Sequence, residues 1–154
     1  MKNDISKIIL VALDEAKKAG LRGEVPVGAV VFKDHQIIAK AGNMVEESND
    51  ASAHAEIIVM RQACELLSLT RLNNYSLYVT LEPCLMCTHA ITLFRIKKLF
   101  FGAYDTSYLK DSNKLSTDGL YDRGELSIES YGGFGLRHSE NIIRKFFKKI
   151  KTGN

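Results

Sequence analysis

The chain has 154 residues, 45% of them hydrophobic and 25% charged, with a formal net charge of +3. That balance predicts one globular domain spanning residues 1–154 with a sizeable core, and a mildly basic surface compatible with nucleic acid without being diagnostic of it. Three cysteines, an odd and small number, argue against a secreted disulfide framework and make a reducing cytoplasm the expected setting. No apolar run approaches the roughly 18 residues of a membrane-spanning helix. The early run Ile8–Leu13 is short and ends at Asp14 and Glu15, so no signal peptide is expected.

In chain order, Ile5, Ile8, Ile9, Ala12, Ala16 and Ala19 share one face of an amphipathic helix, with Asp4 as a candidate N-cap and Gly20 and Gly23 as stop signals. Val27–Phe32 and Gln36–Ala41 read as two strands around the turn KDHQ. A polar loop, MVEESNDAS, leads to a second helix, AHAEIIVMRQACELLSL, in which Cys64 reads as a core thiol. Ser76–Thr80 is a strand, and CLMCTHAITLF is the helix after it, opened by Pro83 in its first turn. IKKLFFGA is a further strand. The stretch from Asp105 to Asp122 is polar and irregular, GELSIESY is a weak strand, and SENIIRKFFKKIK closes the chain as a basic helix. This order predicts an α/β layered domain, with the two motif-bearing helices starting at one edge of the sheet, where such folds place their sites.

The informative stretch is TLEPCLMCTH, Thr80–His89, with Cys84 and Cys87 three residues apart. On one helix they lie about 60° apart, and the N-terminal dipole favours thiolate, the zinc-binding form. A zinc site needs more ligands. His35 falls in a turn, His138 beside a glycine-rich loop, and His89, about 200° round the helix from Cys87, points away. His54 stands at the start of a helix, in SAHAE, with Glu56 two residues on. Three protein ligands leave a fourth position for water, as in catalytic zinc sites, and Glu56 is then the carboxyl able to move protons. A redox dithiol, a pair of core thiols and a four-ligand structural zinc site remain the alternatives at this level.

HAE at 54–56 with PCLMC at 83–87 resembles the signature of the zinc-dependent nucleobase deaminases. Within that superfamily EVPVGAV (24–30), Gly42-Asn43, LYVTLEPCLMC, RIKKLFFGAYD and Phe146-Phe147 resemble the bacterial tRNA-specific adenosine deaminases. The likeness is close from about residue 5 to 105. After Asp105, TSYLKDSNKLSTDG replaces the family's usual Lys-Thr/Ala-Gly-Ala and Gly-Ser segments. The resemblance implies a cytidine-deaminase-like three-layer α/β/α fold with a mixed central sheet of about five strands. It implies one Zn2+ per subunit on His54, Cys84 and Cys87, with Glu56 as proton carrier and adenine converted to inosine. It also implies that Asn43 hydrogen-bonds the base, that the segment Val25, Pro26 and Val27 helps wall the pocket, and that the Ala55 amide lies in it. Asp105, Phe146 and Phe147 are the remaining substrate-side candidates, the two phenylalanines by stacking on splayed bases, although a core role would suit them equally. The expected partners are a tRNA anticodon stem-loop and a second copy of the chain. Arg144, Lys145, Lys148, Lys149 and Lys151 could meet phosphates. A deaminase of a free base or nucleoside would share every catalytic residue. A zinc-bearing RNA-binding subunit without turnover would have no need of Glu56.

Overall fold

The computed structural model describes residues 2–106 and 128–153. Four helices, α1 (Lys2–Leu21), α2 (Ala55–Leu67), α3 (Leu85–Leu93) and α4 (Leu136–Thr152), enclose five strands, β1 (Gly28–Lys33), β2 (Gln36–Gly42), β3 (Ser76–Leu81), β4 (Lys98–Ala103) and β5 (Glu129–Tyr131). The sheet order is β2-β1-β3-β4-β5. β1 runs antiparallel to β2 and β3, whereas β3, β4 and β5 are parallel. The sheet is therefore mixed, as expected.

Alternation along the strands divides the core into two layers. Ala29 and Val31 of β1, Leu77 and Val79 of β3, and Leu99 and Phe101 of β4 pack with α2 and α3 through Val59, Met60, Cys87 and Ile91. Val30, Phe32 and Tyr78 face the other way, against Ile8 and Ala12 of α1. α1 lies over β1, β2 and β3 and touches α4, which covers β3 and β4. Covered on both faces, β1 is buried along nearly its whole length, so GAVVFK reads as a continuous apolar run rather than an alternating one. The result is the three-layer α/β/α arrangement.

Three boundary expectations need correction. α1 begins at Lys2, which places Asp4 inside the helix instead of ahead of it. Pro83 precedes α3 rather than opening it, because Cys84 holds the N-cap. The final helix starts at Leu136, after Gly135 adopts a left-handed φ of 74°. The predicted irregular stretch after Asp105 lies, from residue 107, outside the described residues, as does the first half of GELSIESY, whose second half supplies β5. Among described residues no helix is long and apolar enough to cross a membrane.

Gly28 starts β1 where α1 crosses most closely. A Cβ there would overlap the Ala12 carbonyl oxygen and crowd the Ala16 amide. The backbone of α1 cannot yield without losing its own hydrogen bonds. Gly28→Ala is therefore expected to destabilise the fold by about 1–3 kcal/mol, the usual cost of overpacking. A urea midpoint equal to that of the wild type would show that α1 can move aside.

Candidate active site

The parallel strands β3 and β4 end at one edge of the sheet, and the chain leaving β3 turns at once into α3. β1 begins and β2 ends at the same edge, since Gly28 pairs with Gly42. α2 starts there too. Two helix N-termini and two loops thus converge where α/β folds build sites.

His54 is the N-cap of α2, with φ −71° and ψ 151°, and Cys84 is the N-cap of α3, with φ −68° and ψ 173°. Neither side chain caps its own helix. Both are extended, so the side chains leave the helix ends and meet. The His54 Nδ1 atom lies 3.6 Å from Cys84 Sγ and 3.5 Å from Cys87 Sγ. Cys87 sits three residues into α3. An N-cap and the third helical residue are natural neighbours, the relation that capping boxes exploit. The ligating atoms of His54, Cys84 and Cys87 all fall within 4.8 Å of one another.

This donor set fits zinc. A tetrahedral centre with one nitrogen at roughly 2.0–2.1 Å and sulfurs at about 2.3 Å requires nitrogen–sulfur edges of about 3.6 Å. The two observed edges match that value. His89, His35 and His138 are all exposed, as expected, and do not join the cluster. Cys64 packs at the margin of the core, and burial pushes its thiol up.

Glu56, two residues after His54, is only 4% exposed. Its Oε2 accepts a hydrogen bond from Cys87 Sγ at 3.0 Å. Burial pushes its carboxyl upward, against the opposing pull of that bond. The two thiols behave as a pair. Cys84 is held down to about 4, first by its hydrogen bond with Cys87 and further by His54, while burial opposes. Cys87 is pushed up, first by its bond to Cys84, then by burial and by the Glu56 charge. His54 is raised, first through its bond to Cys84. A thiol binds a metal as thiolate, so a divalent cation bound here releases protons from the pair.

Beside these groups opens a cleft of about 200 Å3, lined by Val25, Val27, Asn43, His54, Ala55, Glu56, Leu81, Glu82, Cys84 and Asp105. Of the residues expected on the substrate side, Asn43, Val27, Ala55 and Asp105 thus meet the cluster. Pro26 is buried beside Gly20 instead, at the end of α1. Phe146 lines a separate groove between the C-terminal ends of α1 and α4, and Phe147 stacks edge-on against it, half exposed. Val25, expected in the same segment as Val27, also lines the cleft, whereas Leu81 and Glu82 were not singled out as substrate-side residues. Leu81 ends a strand and Glu82 follows it at the site-bearing edge, and that placement is the signal that could have found them. Glu82 also accepts the Asp105 amide at 3.0 Å, tying the end of β4 to the wall of the cleft.

Residues 2–103 match the family model of the cytidine and deoxycytidylate deaminase zinc-binding region, so fold and site together define a zinc-dependent deaminase. The chain is 42% identical over 143 residues to the tRNA-specific adenosine deaminase of Aquifex aeolicus, covering 92% of this chain and 93% of the relative. It is 43% identical over 141 residues to that of Agrobacterium fabrum, covering 90% and 91%. A solved structure from a study of A-to-I editing by tRNA:A34 deaminases at the wobble position matches with a TM-score of 0.73 and 38% identity, over 89% of this chain and 99% of that one. The chain belongs to the tRNA-specific adenosine deaminase family. Coverage of this extent carries the likeness well past Asp105, further than the motifs of the first hundred residues do.

Proposed function

We propose that this protein deaminates adenosine to inosine at the wobble position of tRNA, with Glu56 as its proton carrier. The observation that carries the reading is the position of the Glu56 carboxylate. It touches the ligand Cys87 and opens onto the cleft that Asn43, Val27 and Asp105 complete. His54 Nδ1 and the Cys84 and Cys87 thiolates would hold Zn2+, which would make a water acidic enough to ionise near neutral pH. Glu56 Oε2, shielded from solvent, takes a proton and delivers it to the purine ring nitrogen. A second transfer to the amino group releases ammonia, so adenosine and water become inosine and ammonia. Asn43 offers its side-chain amide to the base, and Ala55, at the start of α2, lines the same cleft.

The substrate is the anticodon stem-loop rather than a free base. Arg144, Lys145, Lys148, Lys149 and Lys151 lie exposed along α4 and supply phosphate-facing charge, and Phe147 adds an exposed ring. The working unit is a cytoplasmic homodimer, with the site completed near the subunit interface.

The test is to incubate zinc-loaded protein with a stem-loop carrying A at the wobble position, and separately with free adenine, cytosine and guanine. Inosine is expected in the stem-loop alone, with kcat/KM falling as salt rises. Ammonia from a free base and none from the stem-loop would keep the zinc chemistry and discard the tRNA substrate.

A further inference from the structure

Glu24 lies between α1 and β1, outside the cleft, and is 1% exposed. Its carboxylate accepts backbone amides from the loop after β2. Oε1 receives Glu46 N at 2.8 Å and Glu47 N at 3.0 Å, and Oε2 receives Glu46 N at 3.3 Å. Taking a carboxylate out of water is expensive unless its lone pairs are matched this way. A polar loop on the surface needs no such device to stay folded. Its placement asks what these two amides hold in position.

The loop begins at Asn43, which lines the cleft beside His54 and Glu56. The Asn43 backbone N donates to the Val27 carbonyl at 3.0 Å, and its carbonyl accepts Arg22 Nη2 at 3.2 Å. Its side-chain Nδ2 donates to the Val25 carbonyl at 3.3 Å, and Oδ1 accepts Val45 N at 3.3 Å. Both ends of the amide are therefore engaged once. That leaves one N–H and one oxygen lone pair for a ligand. Which of these faces the base depends on Val45 N–H on one side and Val25 C=O on the other. Val45 directly precedes the two amides that Glu24 holds, and Val25 directly follows Glu24. Arg22 closes the frame by pairing with Glu47 at 3.3 Å.

We infer that Glu24 is a positioning residue for base recognition: it orients the Asn43 amide by anchoring the loop that fixes it. The inference rests on the reading of Asn43 as the contact to the base. An amide turned by half a revolution presents an acceptor where a donor belongs. A site built on a polar contact loses much of its binding when that contact is mismatched. Glu24 thus acts on substrate binding and leaves the metal cluster alone.

The test is a double-mutant cycle on the full-length zinc-loaded protein: wild type, Glu24→Gln, Asn43→Ala and the double variant, each assayed on the wobble-A stem-loop. Glu24→Gln keeps the size but replaces one acceptor oxygen by an NH2 that cannot accept. Expected is a fall in kcat/KM of about tenfold, carried mainly by KM, with zinc content unchanged, and a cost of less than about twofold for the same change in the Asn43→Ala background. Equal factors in the two backgrounds overturn the inference, as does a Glu24→Gln enzyme within about twofold of wild type. If Asn43→Ala alone leaves KM unchanged, the base contact itself fails and the role of Glu24 falls with it. A costly Asn43→Ala with an independent Glu24→Gln removes Glu24 alone. Should Glu24→Gln lose its cooperative melt, Glu24→Asp, which keeps the charge, enters the same cycle. Loss of fold in both variants makes Glu24 a folding residue and overturns the inference.

Discussion

Glu56→Ala is expected to retain zinc and fold while losing deamination by roughly 10²- to 10⁴-fold, the range in which a positioned acid–base group contributes. The expectation follows from where the carboxylate sits. Glu56 provides none of the three donors of the cluster, so its removal leaves the imidazole–dithiolate set whole. It faces the cleft and touches Cys87, so no other side chain of the cluster can take over its proton. Stability should hold or rise, because the side chain is a buried acid whose charged form burial disfavours. Three measurements on one preparation decide it: zinc by elemental analysis, the melting curve, and inosine formed in the stem-loop. Near-normal inosine formation in a zinc-replete variant would sink the mechanism. The same variant separates an enzyme from an RNA-binding zinc subunit, since only an enzyme depends on this carboxyl.

Cys87→Ala should cost more, because it removes metal and packing together. Cys87 is fully buried in the layer between α3 and the sheet, and it supplies one corner of the cluster. His54 and Cys84 are left as two protein ligands on two separate helix ends, one fewer than a catalytic zinc site uses. Zinc bound only by the folded state stabilises it by mass action, by about 4 kcal/mol when free zinc exceeds Kd roughly 1,000-fold. That stabilisation disappears with the ligand, and a small void is added. The variant should contain no stoichiometric zinc, form no inosine, and melt near or below the temperature of chelator-treated wild type. Full zinc occupancy after the change would mean that the ligand set is wrong.

These two residues also mark how far local pattern carries. The pairing of His-Ala-Glu with Pro-Cys-Leu-Met-Cys could be read directly, because each motif is a few residues long and its chemistry depends on residue type: imidazole, thiol, carboxyl. The layered α/β order was legible from the succession of elements, since the helical period of three to four is imposed by backbone geometry, but the division of the core into two layers was not, because a strand covered on both faces, such as β1, reads as a continuous apolar run. The convergence of His54 with Glu56 was harder. Within a helix, residues two apart diverge. The structure resolves this through the extended backbone of His54, which lies outside the helical turn that carries Glu56. Cys84 behaves likewise, and its N-cap role displaces Pro83 from the helix start, where propensity would have placed it.

By itself the sequence determined the fold class and the family and singled out His54, Cys84 and Cys87 as candidate metal donors and Glu56 as the candidate proton carrier, because those reside in short-range spacing and side-chain chemistry. The tertiary structure alone decided the rest. It brought His54 and Cys84 together across 30 positions. It set α1 against a strand with no room for a Cβ at Gly28, moved Phe146 into a groove away from the cleft, and buried Glu24 beneath the loop of Asn43. Each of these depends on contacts between segments distant in the chain. A charged residue reads as exposed until its partners are known, and here those partners are backbone amides, which carry no side-chain signature.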